Sequence, residues 1–487
     1  HRGSRRSYIL SHRRDQIQMK SISILFLLLF AATALAKPPN IVIYLTDDQG
    51  RETISAYGGR NIETPNLDRL AEEGAMFLNA FASATSCAVS RSTILTGTHG
   101  HVNGMYGHEH GYHHFRSFDD VKSLPVMLKQ AGYRTARMGK YHLGPEAVYR
   151  FDKVFKGEPG RGNENWRDTA NMARLALDYV AENPETPFFL YMAPFDPHRG
   201  APHRTDAPNL FGNREGGYQG IDRLRIAAED VQVPNYLPDL PEVREEFVEF
   251  YESISRIDQG FGMLIDGLKK AGVYDDTLII FLSDNGTPMP NAKTTQYDTG
   301  VKLPLIVKAP GQTTTGGIEQ PLISWVDITP TVLDYAGVTS TEAAFNGQSF
   351  RPWLEGQSPA GFDRVFGSHT FHEITMYYPM RMVRTPQYKL IWNIAWQLPY
   401  PTGWNVYDSS TAEALRSPDV LYLGKRKKSG YYQRSKIELY DVVADPDEVN
   451  NLAEDAQYAG VVEDLFSQLT EFMKDTEDPW RIKLIHE

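Results

Sequence analysis

Two apolar runs, Asn40 to Thr46 (NIVIYLT) and Thr277 to Leu282 (TLIIFL), constrain this 487-residue chain more than any other feature, because each is a continuous β-former stretch that ends in acid. A strand apolar on both faces must be covered on both, as in the centre of a mostly parallel sheet. Asp47-Asp48-Gln49-Gly50 follows the first run and Ser283-Asp284-Asn285-Gly286 the second. Carboxylates at the mouth of a buried strand are costly to desolvate unless a cation neutralises them. Asp47, Asp48, Asp284 and the amide oxygen of Asn285 form a hard oxygen set, suited to Ca²⁺ or Mg²⁺ and poor for zinc. Solvated loop starts are the alternative when either segment is taken alone. In a doubly wound sheet the exits of parallel strands share one edge, where ligands bind.

Between these runs the periodicity alternates. Helical patterns cover 64–74, 121–132, 168–182 and 245–271, and strand patterns cover 75–82, 134–139 and 188–194. A further strand is expected at 304–310 and a helix at 327–337. Alternation of this kind predicts an α/β fold. Beyond about residue 350 it stops: strands within 365–389 and at 436–443, then an amphipathic helix at 461–473, predict a smaller, more antiparallel unit. The expected division is 1–36, 37–350 and 351–487, and 199–245, rich in Pro, Gly and charge, is expected as an insertion over the pocket.

Cys87 is the lone cysteine, so no internal disulfide explains it. It opens CAVSRSTILTG, which reads as a loop feeding the first turn of a helix, where unpaired N–H groups and the dipole favour an anion. Arg91 adds a guanidinium on the same side. Strand exits supply further cations or proton carriers: Lys140 with His142, His198, and Lys293 in Asn291-Ala292-Lys293-Thr294.

Met19-Lys20, the apolar run from Ile22 and the Ala34-Leu35-Ala36 exit read as a cleavable secretory signal, too short to span a bilayer comfortably. An exported protein, periplasmic or secreted and without a stable membrane anchor, is expected. Formal charge is −11; residues 1–36 hold six basic and one acidic residue, which leaves 44 basic against 60 acidic, or −16, for the rest. Such a surface argues against nucleic acid as a partner. An anionic substrate would need positive charge gathered locally.

Cys87, Arg91, Leu95, Thr96 and Gly97 resemble the signature of the type I sulfatases, Cys-x-Pro-x-Arg followed by Leu-Thr-Gly, with Val89 where proline is usual. The resemblance implies an alkaline-phosphatase-like sandwich, with a central mostly parallel sheet flanked by helices, plus a smaller C-terminal α+β domain with an antiparallel sheet. It implies that a maturation enzyme oxidises Cys87 to formylglycine, whose hydrate is the nucleophile. Asp47, Asp48, Asp284, Asn285 and residue 87 would then hold the cation, Ca²⁺ or Mg²⁺. Lys140, His142, His198 and Lys293 match the family's Lys-x-His, its Asp-Pro-His and its later lysine. Arg91 would orient the nucleophile, Lys140 and Lys293 would hold the sulfonate, His198 would protonate the leaving group, and His142 would take the proton that releases sulfate.

Further stretches are similar to one branch, the N-sulfoglucosamine sulfohydrolases: Asn103 to Gly107, His113-His114-Phe115, Gly144-Pro145-Glu146, His372 to Met376, Tyr378 to Arg381 and Asp478-Pro479-Trp480. The implied substrate is a sulfated oligosaccharide, the N-sulfate of glucosamine at the end of heparan sulfate or heparin fragments. His372, Glu373 and Arg381 are the candidates for sugar recognition, or alternatively for bracing the domain interface. The rivals are an O-sulfatase on another polysaccharide, a phosphate ester hydrolase of the same fold, and a glycan-binding homologue whose Cys87 stays unoxidised. A homodimer is compatible with all of them.

Overall fold

The strand residues of Asn40–Thr46 divide by parity between two cores: Val42 and Tyr44 face one, Ile41, Ile43 and Leu45 the other. Successive side chains of a strand point to opposite faces, so this uniform run is what a sheet covered on both sides requires. The computed structural model describes residues 37–200, 209–339 and 343–485; the signal-peptide expectation lies outside them. Residues 39–487 form one compact unit.

The strands, in chain order, are β1 (Asn40–Thr46), β2 (Ala75–Phe77), β3 (Ala80–Phe81), β4 (Arg134–Gly139), β5 (Lys153–Val154), β6 (Phe188–Ala193), β7 (Thr277–Ser283), β8 (Leu305–Lys308), β9 (Gly316–Ile318) and β10 (Ile323–Ser324). Eight of them form one sheet in the order β5-β4-β6-β1-β7-β8-β2-β9. Within that sheet only β8 runs against its neighbours, so the expectation of a mostly parallel sheet is met. The expected strand over 75–82 breaks at Leu78 and Asn79, where Asn79 Nδ2 donates to Glu319 O at 2.7 Å. Its second half, β3, pairs with β10 outside the large sheet.

Helix Pro241–Lys270 covers one face with Phe247, Ile254, Phe261 and Leu268, all buried. Each such side chain contributes roughly 1.5–3 kcal/mol of burial. The other face is covered by helices Cys87–Thr96, Leu124–Gln130 and Ile328–Tyr335. Two boundaries differ from expectation for one reason. Pro125 and Pro241 stand in the first turn of their helices, where the missing N–H costs nothing, and so set the starts.

The C-terminal part adds β11 (Val365–Phe371), β12 (Tyr377–Arg384), β13 (Tyr388–Asn393), a short hairpin of β14 (Tyr422–Leu423) and β15 (Arg426–Lys427), and β16 (Ile437–Asp441). Strands β11-β12-β13-β16 form an antiparallel sheet in that order. Val383, Leu390, Trp392 and Leu439 pack under helix Ala459–Asp475 through Leu465, Leu469 and Met473. Met380, Met382 and Ile391 join the core that also holds Val42 and Tyr44.

The segment after Arg199 carries little regular structure, as its Pro, Gly and charge content leads one to expect. Its described part, 209–240, lies along the long helix: Arg256 donates to Asn213 Oδ1 and Phe211 O, and Arg223 pairs with Glu252. Ion pairs and the Glu249 carbonyl on that helix hold it there, while Leu210 O accepts from Gly200 N and Arg167 beside the cleft.

Candidate active site

The exits of β6, β1 and β7 lie side by side, and the ladder continues past the strands. Thr46 pairs with Ser283; beyond them Asp284 N donates to Thr46 O at 3.1 Å and Asp47 N to Asp196 O at 3.2 Å. Asp48 then adopts φ +70°, a region sparsely used by residues with a Cβ but tolerated by Asp. This turn lets Asp48 N donate to Asp284 Oδ1 at 3.0 Å and Gln49 N to Ser283 Oγ at 2.9 Å. Asp47, Asp48, Asp284 and Asn285 are all fully buried.

Cys87 is the first residue of its helix, after an extended Ser86, and Gly97 ends the helix at φ +68°. A Cβ at Gly97 would also sit 2.8 Å from the Phe345 ring, so both backbone and space require glycine there. Cys87 Sγ lies 3.8 Å from Asp48 Oδ1 and 3.8 Å from Asn285 Oδ1. The ligand atoms of Asp47, Asp48, Cys87 and Asp284 fall within 4.8 Å of one another. Segments distant in sequence therefore meet in one place.

Positive charge is concentrated around them. Arg91 donates to Asp284 Oδ2 at 2.8 Å and to Lys140 O at 2.9 Å. Lys140 Nζ stands 2.6 Å from Asp47 Oδ2, and Lys293 Nζ 2.6 Å from Asp48 Oδ2. Three buried carboxylates thus face three buried cations. A dication added here leaves an excess of two positive charges, which suits an incoming anion.

The residues fit such an ion. Neither oxygen of Asp47 accepts a hydrogen bond of good geometry, and apart from the Cys87 sulfur the donors are oxygens. Asn285 Nδ2 is 2.5 Å from Asp48 Oδ1 and 2.7 Å from Asp284 Oδ1; turning the amide over brings its oxygen to the same point. Burial pushes the Asp47 carboxyl upward, against the pull of Lys140. Asp284 also feels burial, but Arg91 and Lys140 outweigh it and hold the group below the usual carboxylate range. Burial raises the Cys87 thiol well above its ordinary range, with Lys140 and Lys293 opposing, so the unmodified side chain is a poor thiolate nucleophile.

Two histidines face this cluster. His198 Nε2 is 3.7 Å from Asp48 Oδ2 and 3.3 Å from Asn405 Nδ2. Its loop is clamped because Arg167 and Arg256 each hold one oxygen of Asp196 at 2.6 Å, while Arg167 also donates to His198 O. His142, at φ +65°, brings a ring nitrogen within 4.8 Å of Cys87 Sγ and of His108. Burial first, then neighbouring Lys140, holds both His142 and His198 well below the ordinary imidazole range. They are neutral at pH 7 in this environment.

The cleft over the cluster encloses about 400 Å³ and is lined by Lys140, His142, His198, His108 and Trp404 among others. His372 bonds Ser86 Oγ through Nδ1 at 3.0 Å, beside the head of the Cys87 helix. Glu373 accepts from Trp404 N at 3.0 Å, which fixes a residue of the cleft wall. Arg381 takes the bracing role rather than the sugar contact: it is fully buried, its Nε and Nη2 donate to the two oxygens of Asp478, and Nη1 donates to His369 O and Met380 O. Burial against a carboxylate leaves it no free donor for a sugar. His108, Trp404 and Asn405 were not singled out from the sequence; the histidine density of His108 to His114 was the available signal for the first.

Residues 39–338 match the family model described as Sulfatase, and residues 291–414 match that of the N-sulphoglucosamine sulphohydrolase C-terminal region. The chain belongs to the sulfatase family. This sulfatase is 39% identical over 475 residues to the human N-sulphoglucosamine sulphohydrolase, covering 93% of each chain. An ulvan-active sulfatase of Formosa agariphila is 28% identical over 92% of this chain and 82% of its own. Among solved structures, a protein in complex with its substrate D-glucosamine-2-N,6-O-disulfate superposes with a TM-score of 0.66 at 23% identity, over 91% of this sulfatase and 99% of that chain. A phosphonate monoester hydrolase of Agrobacterium radiobacter gives 0.65 at 18% identity, over 90% and 96%. These likenesses establish the alkaline-phosphatase-like fold. This sulfatase is a hydrolase of sulfuric esters or sulfamates, and among its described residues no helix is long and apolar enough to cross a membrane.

Proposed function

We propose that this sulfatase removes the N-sulfate of glucosamine at the end of heparan sulfate or heparin fragments. One observation carries the chemistry: Cys87 Sγ stands 3.8 Å from both Asp48 Oδ1 and Asn285 Oδ1, inside a sealed cage of oxygen donors. The choice of an N-sulfate rests on the 39% identity to the human N-sulphoglucosamine sulphohydrolase.

Asp47, Asp48, Asp284, Asn285 and the side chain at 87 would hold Ca²⁺, with Mg²⁺ as the alternative. When present, the cation polarises the sulfonate, and formylglycine, made from Cys87 by a maturation enzyme, supplies the attacking oxygen as its hydrate. Arg91, locked to Asp284, orients residue 87. Lys140 and Lys293 hold the sulfonate oxygens as charge shifts towards them. Neutral His142 is placed to accept a proton from residue 87 on sulfate release. His198, which faces Asp48 and feels the charge of Lys293, is the candidate to deliver a proton to the departing nitrogen. Catalysis is assigned to residues 37–350, with 351–487 contributing Trp404 and Asn405 to the cleft wall and His372 and Glu373 behind it, on Ser86 and Trp404. Export and a homodimer complete the reading.

Glucosamine N-sulfate, glucosamine 6-O-sulfate and an aryl sulfate, assayed side by side with converted enzyme, test the assignment. Preference for the N-sulfate is expected. Preference for the 6-O-sulfate would transfer the chain to the O-sulfatases.

A further inference from the structure

One short turn, Gly403 to Tyr407, is a wall of two cavities. Asn405 fastens it to the catalytic cleft: Asn405 Nδ2 meets His198 Nε2 at 3.3 Å and Asn405 O accepts from Arg199 at 2.7 Å. Trp404, 44% exposed, lines the cleft. Tyr407, one helical turn on and 55% exposed, lines a second cavity of about 280 Å³ with Tyr400, Thr402, Arg416 and Tyr432. Residues three apart on a helical turn are neighbours, so the two openings adjoin.

The second cavity has the chemistry of an acidic sugar site. Tyr407 and Tyr432 offer partly exposed ring faces, on which the apolar face of a pyranose can stack. The Arg416 guanidinium lies 4.4 Å from the Tyr407 centroid and is steered there by donating to Tyr407 O at 3.0 Å. Among the described residues no carboxylate lies in ion-pair reach of Arg416, so its remaining donors are open to a planar anion. The chain as a whole is acidic, at −11, so an unpaired arginine on an aromatic platform beside the cleft is a local reversal of sign.

We infer that this cavity is a second glycan subsite, which takes a carboxylate- or sulfate-bearing sugar one or more residues along the oligosaccharide whose terminal unit occupies the cleft. The inference rests on the glycan-hydrolase reading above and adds a preference for chains over the free monosaccharide. The helix of Ser410–Leu415 sets Arg416 at its end, so the guanidinium moves as a unit with the Tyr407 turn.

The test compares kcat/KM on glucosamine N-sulfate with that on a heparin-derived tetrasaccharide carrying a terminal N-sulfate, for wild type, R416A, R416K and Y407A. Binding of the same tetrasaccharide is measured by titration calorimetry. R416A and Y407A are expected to leave the monosaccharide value unchanged and to lower the tetrasaccharide value about five- to tenfold, the scale of one solvent-exposed hydrogen bond or stacking contact, with R416K recovering part of the Arg416 loss. Tetrasaccharide affinity should fall in parallel. Equal losses on both substrates, no change on either, or a shift in oligomeric state without a change in the ratio would overturn the subsite. Should wild type hydrolyse neither substrate, the hydrolase reading fails, and the calorimetric difference between wild type and R416A still decides the subsite.

Discussion

Lys293 Nζ stands 2.6 Å from Asp48 Oδ2 with both side chains sealed from solvent, so each charge is tolerable there only because of the other. Removing the ammonium strands a buried carboxylate, at a cost of about 3–5 kcal/mol. Lys293→Ala should therefore lose this much stability without a divalent ion, and much less in saturating Ca²⁺, which neutralises Asp48 in its place. Denaturant midpoints of wild type and variant, with chelator and with Ca²⁺, check this. An equal loss in both conditions would separate Asp48 from the cation site.

Chelation should act on the fold as well as on turnover. A ligand that binds only the native state stabilises by about 4 kcal/mol at a thousandfold excess over Kd, and Asp47, Asp48 and Asp284 meet only in the folded chain. Thermal unfolding after chelator treatment should shift downward and return on adding Ca²⁺. Asp284→Asn should abolish that return, since it removes a ligand and the partner of Arg91.

Arg381 separates a structural from a recognition role. Its guanidinium and Asp478 are both buried, so Arg381→Ala leaves an unpaired carboxylate under the C-terminal turn and should cost about 3–5 kcal/mol. The expected result is a marked fall in the denaturant midpoint, with KM for the monosaccharide little altered in the fraction that remains folded. A raised KM at unchanged stability would restore Arg381 to the substrate.

Asp327 gives a pH dependence outside the site. Burial pushes its carboxyl up from 3.8 to about 7, although Ser324 N and Gln348 N donate to it. The folded state then binds its proton more tightly than the unfolded state. Between about pH 4 and pH 7 this group's contribution falls as pH rises, by at most on the order of 4 kcal/mol. Asp327→Asn removes the titration, so the stability difference between wild type and variant should shrink or reverse across that window. A difference independent of pH would show that the carboxyl is not raised.

How much of this was legible in the sequence depends on how locally each feature is determined. The β1 and β7 runs declare themselves because their interiors, Ile41 to Leu45 and Leu278 to Leu282, are unbroken apolar stretches, and the acids that follow can only lie at their exits. Cys87 and Arg91 are legible because a helix start fixes their relation. Between the two roles open to Arg381 the sequence could not choose, because its strand, Tyr377–Arg384, shows nothing of Asp478, 97 residues away. Trp404 and Asn405 enter the cleft through the folding of a four-residue turn held by His198 and Arg199, contacts that no periodicity encodes. Pro, Gly and charge mark 199–245 as a loop without saying what it packs on; the pairing of Arg223 with Glu252 and the bonds of Arg256 to Phe211 and Asn213 tie its described part to the long helix.

The central claim is that position 87 supplies the nucleophile beside the cation. The most direct measurement is the mass of the peptide containing residue 87 from enzyme made with a formylglycine-generating partner, read alongside hydrolysis of glucosamine N-sulfate. The account predicts the mass loss of thiol-to-aldehyde conversion, activity in proportion to the converted fraction, and none in Cys87→Ala. Full activity in protein whose residue 87 is entirely unmodified cysteine would contradict it.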